Sequence, residues 1–370
     1  MLAILLVAAS VGAAPVVVDG GEMIRIAVGR FADTLIEGAG VVVVGVDGAA
    51  LATPVGPLSK VRVQAGKSGL LIGGKAAGRD VVVVRAPLLK LAGHSYRGVL
   101  EVRYQLYDKK PELLIVHPLD LETYVTGIVS AELPRGWPLA SYQAQAVAAR
   151  TFAMTQKMRR IDLPYHMETT VLDQVYGGVE REHALAEEAA RTTRGQILSF
   201  RRHVAQTYFH ASCGGRTESA KEGWGTPLGY LPGSPCNKCD TASRSHWSVK
   251  IPRADVDRAF LRVAGGPITA LKITETTASK RAKTVELRTA KKTTTITGAD
   301  FRRLLGWSVV WSTQIDKLEL TSTTLAVEGR GSGHGVGLCQ WGSRGFALAG
   351  VPYDKILATY YPGARLARLY

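Results

Sequence analysis

Asp120-Leu121-Glu122-Thr123-Tyr124-Val125-Thr126-Gly127-Ile128-Val129-Ser130-Ala131-Glu132-Leu133-Pro134 is where this sequence changes character. Leu121, Tyr124, Val125, Ile128 and Val129 recur at helical spacing, Asp120 offers an N-cap, and Pro134 bars continuation. The residue before a proline is itself pushed out of the helical region, so Glu132 is expected at or just past the helix end. Upstream the chain reads as strands. Val41 to Val44, Lys60 to Val63 and Val81 to Val84 are β-branched runs, and Gly98 to Tyr104 alternates apolar with polar. Downstream, an Ala-rich helix is expected over Leu139–Arg160 and a third over Glu180–Thr193, stopping at Gly195. Strands return from Gln196. Residues 247–330 read as β-structure with a short helix near Ala299–Leu305, followed by a glycine-dense stretch over 329–345 and a closing helix over Tyr353–Tyr360. The expected class is α+β: a β-rich N-terminal lobe, central helices, and a β-rich C-terminal part with a Gly-rich loop.

Composition sets outer bounds. The chain has 370 residues, 46% of them hydrophobic, and 46 Lys+Arg against 31 Asp+Glu give a net charge of +15. This is globular composition, and it excludes a disordered acidic chain, a collagen and a small disulfide scaffold. The positive balance points to an anionic partner: nucleic acid, a membrane surface or an acidic polymer. Leu2 to Ala9 is an apolar run followed by the small residues Gly12-Ala13-Ala14, so residues 1–14 read as a cleaved secretory signal, with a buried N-terminal strand as the alternative. The run is too short to span a bilayer, and no later segment reaches transmembrane length without charges. An exported location, periplasm or cell envelope, points away from nucleic acid.

Three groups could carry chemistry. Glu132 has apolar neighbours and lies at a helix C-terminus, whose partial negative charge raises a carboxylate pKa, as a general acid requires. Gly333-His334-Gly335-Val336-Gly337-Leu338-Cys339-Gln340-Trp341-Gly342 lets backbone approach a ligand closely and brackets polar and aromatic groups suited to a sugar. It lacks the strand–glycine–helix context of a nucleotide-binding loop. His210-x2-Cys213 and Cys236-x2-Cys239 have the spacing of a tetrahedral zinc site, while an exported chain also permits a disulfide, and free thiols remain a third reading. Cys339, far off in the glycine motif, is expected to be a small buried thiol. A thiol oxidoreductase using Cys236 and Cys239 lacks the thioredoxin-like context. Neither Gly-x-Ser-x-Gly nor His-Glu-x-x-His occurs, which removes support for a serine hydrolase and a zincin.

Taken in order, Tyr96-Arg97-Gly98, Pro118 to Val125 with Ala131-Glu132-Leu133-Pro134, Ala144 to Ala153, Tyr208 to Glu218 and Gly333 to Gly342 resemble the stage II sporulation protein D family, also called the amidase-enhancer family. The resemblance covers residues 90–365 as one domain, with 15–90 as an N-terminal β-rich segment. It implies a lytic transglycosylase acting on peptidoglycan glycan strands stripped of peptide, with Glu132 catalytic. Gln145, Arg150, His334 and Gln340 are then expected to line a cleft between the lobes, and Arg150 to suit a polyanionic strand. It further implies one structural zinc ion, held here by His210, Cys213, Cys236 and Cys239, and a cell-wall amidase as a possible partner. Cys339 and Trp341 stand where the family usually has Ser and Tyr. The rival reading is a non-catalytic amidase enhancer that docks on glycan and recruits or activates an amidase.

Overall fold

The computed structural model describes residues 21–52, 59–169, 173–174 and 176–370; the signal-peptide expectation for residues 1–14 lies outside them. The β-branched runs form one large sheet. Eight of its eleven strands lie in the order Met23–Phe31, Lys110–Asp120, His94–Tyr107, Val81–Leu91, Asp33–Gly38, Ser59–Gly66, Gly69–Ile72 and Lys75–Ala76, each antiparallel to the next. Met167–Glu168 adds parallel to Met23–Phe31, and Val42–Gly45 with Ala50–Ala52 branches from Val81–Leu91. The sheet is continuous across residue 90, since Lys90 pairs with Ser95 and Leu91 with His94. Alternation along Lys110–Asp120 sorts its side chains by face: Leu113 and Ile115 join the main core, while Leu114 and Val116 pack with Ala27 on the other side.

Strand Lys110–Asp120 runs straight into helix α1 (Leu121–Glu132). The Asp120 carboxylate accepts from the amides of Glu122 and Thr123, and Leu133 is already extended ahead of Pro134. The buried stripe Leu121, Tyr124, Val125, Ile128 and Val129 sits on the sheet. Truncating one of these, Ile128→Ala for example, would cost about 2–5 kcal/mol. Helix α2 (Leu139–Arg159) is shared by two cores: Ala146, Ala149 and Ala153 face the sheet core, while Ala144, Val147 and Ala148 face a second core of C-terminal residues. Its small side chains allow both approaches. Helix α3 (Ala184–Thr192) starts four residues later than the periodicity predicts, with His183 as its cap.

Helix α4 (Ala220–Trp224) leads into a module spanning Trp247–Gly329. This module has its own core around Phe260, Val285, Leu287, Phe301 and Val327, two three-stranded antiparallel sheets, and helices α5 (Arg253–Ala264) and α6 (Gly298–Leu305). The β reading of 247–330 missed α5, although Val256, Phe260 and Ala264 are spaced four apart between Pro252 and an αL Gly265. The glycine-dense stretch likewise hides helix α7 (Gln340–Leu348). Gly342 is tolerated inside α7 because a Cβ there would collide with the Tyr360 hydroxyl and the Cys236 sulfur. Helix α8 (Tyr353–Tyr360) lies where periodicity predicts, and the last strand, Arg365–Arg368, adds to Gln196–Phe200.

Candidate active site and cysteine cluster

Glu132 closes α1 and Gln340 opens α7, and 208 residues of chain bring them together: Gln340 Nε2 donates to Glu132 Oε2 at 3.0 Å. Desolvation pushes the Glu132 carboxyl above its ordinary range, and the Gln340 bond pulls partly against it. Among the described residues no second carboxylate and no cation contributes to that shift. Trp341, next in the chain to Gln340, meets Trp137 edge to face, with centroids 5.1 Å apart. The Arg344 guanidinium lies 5.4 Å from the Trp341 ring and 5.9 Å from the Trp137 ring.

The other residues expected in the cleft are placed differently. Arg150 is fully buried and belongs to an ion pair: its Nε and Nη2 donate to Glu122 Oε1 and Oε2 at 2.9 and 2.6 Å, and Nη1 donates to the Gln196 carbonyl. The expectation that Arg150 meets a polyanion is therefore corrected, because its charge is spent inside the fold. Gln145 is also fully buried, and its amide has no hydrogen-bond partner among the described residues. In His334, Nε2 donates to the Phe209 carbonyl at 2.9 Å and Nδ1 accepts from the Val336 amide at 3.1 Å. Burial, against the Phe209 bond, pushes its pKa down to about 4. His334 is thus a neutral, fixed ring that offers its face and edge, not a free nitrogen. The motif can lie this close because Gly337 has positive φ and a Cβ there would strike the Tyr208 carbonyl.

The cysteines form a second centre, next door in sequence to Gln340. Cys213, Cys236, Cys239 and Cys339 are all buried, with their sulfurs within 4.8 Å of one another. The fourth member is Cys339, not the expected His210. The His210 Nδ1–H is committed to the Val336 carbonyl at 3.1 Å, and its ring packs 5.5 Å from His334. Cys339 is buried as expected, but it stands within the cluster and not apart from it; it is the one cysteine that the His210/Cys213 and Cys236/Cys239 pairs leave out. The set suits a tetrahedral metal. Ligand bonds of ~2.3 Å imply sulfurs ~3.8 Å apart, and Cys213 and Cys239 lie 3.6 Å apart, far beyond a disulfide bond. The Cys339 sulfur also takes amide hydrogens from Cys213 and Gly342, each at 3.3 Å, as a thiolate does. Burial, and after it the neighbouring Cys213, Cys236 and Cys239 sulfurs, push the Cys339 thiol up, and a cation among the four sulfurs would reverse that sign.

Comparison with known proteins agrees with this reading of the motifs. A family model described as stage II sporulation protein matches residues 109–200. A protein of Brachyspira hyodysenteriae described only as uncharacterized is 33% identical over 252 residues, 68% of this chain and 67% of that one. The amidase enhancer of Bacillus subtilis is 27% identical over 291 residues, covering 65% of this chain and 40% of the enhancer. Stage II sporulation protein D of the same organism is 27% identical over 279 residues, 68% and 76% of the two chains. The chain therefore spans two fifths of the enhancer's length and about three quarters of the sporulation protein's. Among the described residues no helix is long and apolar enough to cross a membrane.

Proposed function

Since this chain belongs to the stage II sporulation protein D family, we propose that it is an exported lytic transglycosylase that cleaves peptide-stripped peptidoglycan strands between N-acetylmuramic acid and N-acetylglucosamine. The observation that carries this reading is Glu132: a desolvated carboxyl at a helix C-terminus, held by one neutral amide, whose raised pKa owes nothing to a second acid among the described residues. Glycosidases that use water need two carboxylates, one as acid and one as base or nucleophile. A single carboxyl suffices if the nucleophile belongs to the substrate.

Protonated Glu132 gives its proton to the glycosidic oxygen. The bond from that oxygen to C1 of N-acetylmuramic acid breaks, and N-acetylglucosamine leaves with a free hydroxyl. The C6 hydroxyl of the same muramic ring then bonds to the oxocarbenium-like C1, and its proton returns to the Glu132 carboxylate. No water is consumed, and the product ends in a 1,6-anhydro ring. High effective molarity of the intramolecular hydroxyl replaces the second carboxylate. Gln340 positions the carboxyl between the two proton transfers.

A zinc ion held by Cys213, Cys236, Cys239 and Cys339 would be structural, contributing folding energy and no chemistry, since four protein thiolates leave no position for water or substrate. The enhancer reading is favoured by one finding, the similarity to the Bacillus subtilis amidase enhancer. Incubating stripped strands with purified protein and with Glu132→Gln separates the two. The transglycosylase cleaves and the variant does not. An enhancer leaves strands intact but raises the rate of an added amidase, and Glu132→Gln does so equally well.

A further inference from the structure

Trp224 is 45% exposed, unlike Trp137 and Trp247, which are each 7% exposed. Its mount is rigid. It is the last residue of α4, whose first turn is capped by the Ser219 hydroxyl and whose end is closed by αL Gly225. The helix lies directly on the glycine motif: a Cβ at Gly223 would fall 2.7 Å from Val336 Cγ2, and the Glu218 amide donates to the Gly335 carbonyl at 2.8 Å. Lys283 of the 247–329 module holds Glu222 from the other side at 3.3 Å.

Behind the indole stand two rings that are themselves fixed. Trp224 lies 5.3 Å from Tyr208 and 5.1 Å from His334, centroid to centroid. His334 has both nitrogens bonded, and the Tyr208 hydroxyl is held by Gln206. The indole is thus propped from within the protein while its remaining surface meets solvent. This distinguishes it from Trp307, 48% exposed, whose face is occupied by the Arg302 guanidinium at 4.7 Å. A rigid, solvent-facing aromatic ring beside the motif that presents Gln340 to Glu132 offers a pre-set flat apolar surface to a ligand. A pyranose ring, with C–H groups on its faces and hydroxyls on its rim, has that shape.

We propose that Trp224, backed by Tyr208 and His334, is the stacking platform for an N-acetylhexosamine ring of the bound strand, at a subsite along the glycine motif from Glu132. The proposal rests on the transglycosylase reading. It makes Trp224 a positioning residue that holds the strand and takes no part in proton transfer.

The test uses strands freed of peptide by an amidase, titrated by tryptophan fluorescence and calorimetry into full-length Glu132→Gln protein, so that no turnover intervenes. Adding Trp224→Ala is expected to weaken binding about tenfold, and Trp224→Phe to restore most of it. In the otherwise wild-type protein Trp224→Ala should raise KM with kcat nearly unchanged, the signature of binding shared by ground and transition states. Thermal stability should fall only slightly in Trp224→Ala, through lost contact with Tyr208 and His334, and Trp224→Phe should recover most of it. Binding and KM that survive Trp224→Ala overturn the platform alone. A loss that Phe does not rescue also overturns it, because the change then acts through the fold. If Glu132→Gln protein with Trp224 intact fails to bind stripped strands, the functional reading falls and the platform with it.

Discussion

Glu122 and Glu132 sit ten residues apart on one helix and have opposite surroundings. Glu122, in the first turn of α1, is desolvated, but Arg150 grips both its oxygens, and the Tyr370 hydroxyl and Gly195 amide add to this. The sum holds its carboxyl below the ordinary range. The positive end of the helix works in the same direction. Glu132, in the last turn, is desolvated without a cation, keeps one amide bond, and has its carboxyl pushed up. The same side chain is a paired anion at one end and an unpaired, desolvated carboxyl at the other. Burial alone does not mark a catalytic acid. Burial without a counter-charge raises the pKa, which the acid role proposed for Glu132 requires.

Converting each carboxylate to its amide should separate the two roles most widely. Glu132→Gln is expected to fold, keep glycan binding and lose cleavage by roughly 10²–10⁴-fold. Glu122→Gln leaves Arg150 charged and buried, and should cost about 3–5 kcal/mol of stability, read as a fall in the denaturation midpoint. Whatever activity it loses should follow the unfolded fraction. If Glu122→Gln is as stable as wild type, the contrast fails at its structural end.

The Glu132 end also leans on the cysteine cluster, because Cys339 caps α7 and immediately precedes Gln340. If the set binds zinc, purified protein should hold about one equivalent. Cys339→Ser and Cys236→Ser should each lose the metal and lower the thermal midpoint by several degrees. His210→Ala should keep the metal, as measured by elemental analysis. Loss of metal in His210→Ala with retention in Cys339→Ser would restore the His210 ligand set and refute the one described here.

A smaller effect follows from pH. Glu132 must be protonated to act, so cleavage should fall as pH rises through its raised pKa. Gln340→Ala removes the bond that pulls that pKa down, so the falling limb should move to higher pH, with a smaller rate loss than Glu132→Gln causes. Stability has the same sign. A carboxyl whose folded pKa is raised contributes stability at low pH that is lost as pH rises through that pKa. Glu132→Gln should therefore melt at or above wild type near neutral pH, and the gap should close on acidification. A limb that moves to lower pH in Gln340→Ala would contradict the role given to this amide.

The sequence reading fared best where local signals agree. Asp120, the apolar stripe and Pro134 determine α1 by themselves, and so place Glu132 at its end. It fared worst where the deciding contact is distant. Arg150 lies on a helix rich in alanine, and nothing nearby in sequence says that Glu122 will neutralise it. Cys339 joins three cysteines that precede it by 100 to 126 residues. Helix α7 is hidden because its glycines are required by Tyr360, Cys236 and Lys238, which the local pattern does not contain. The Gln340–Glu132 bond was within reach only through resemblance.

The most direct measurement is mass analysis of the ends produced when purified wild-type protein is incubated with peptide-stripped glycan strands. Proton transfer by Glu132 alone, with the muramic C6 hydroxyl as nucleophile, predicts chains ending in 1,6-anhydro-N-acetylmuramic acid, with no water gained. Reducing ends carrying the mass of one water would mean hydrolysis with a second carboxylate, and would contradict the account.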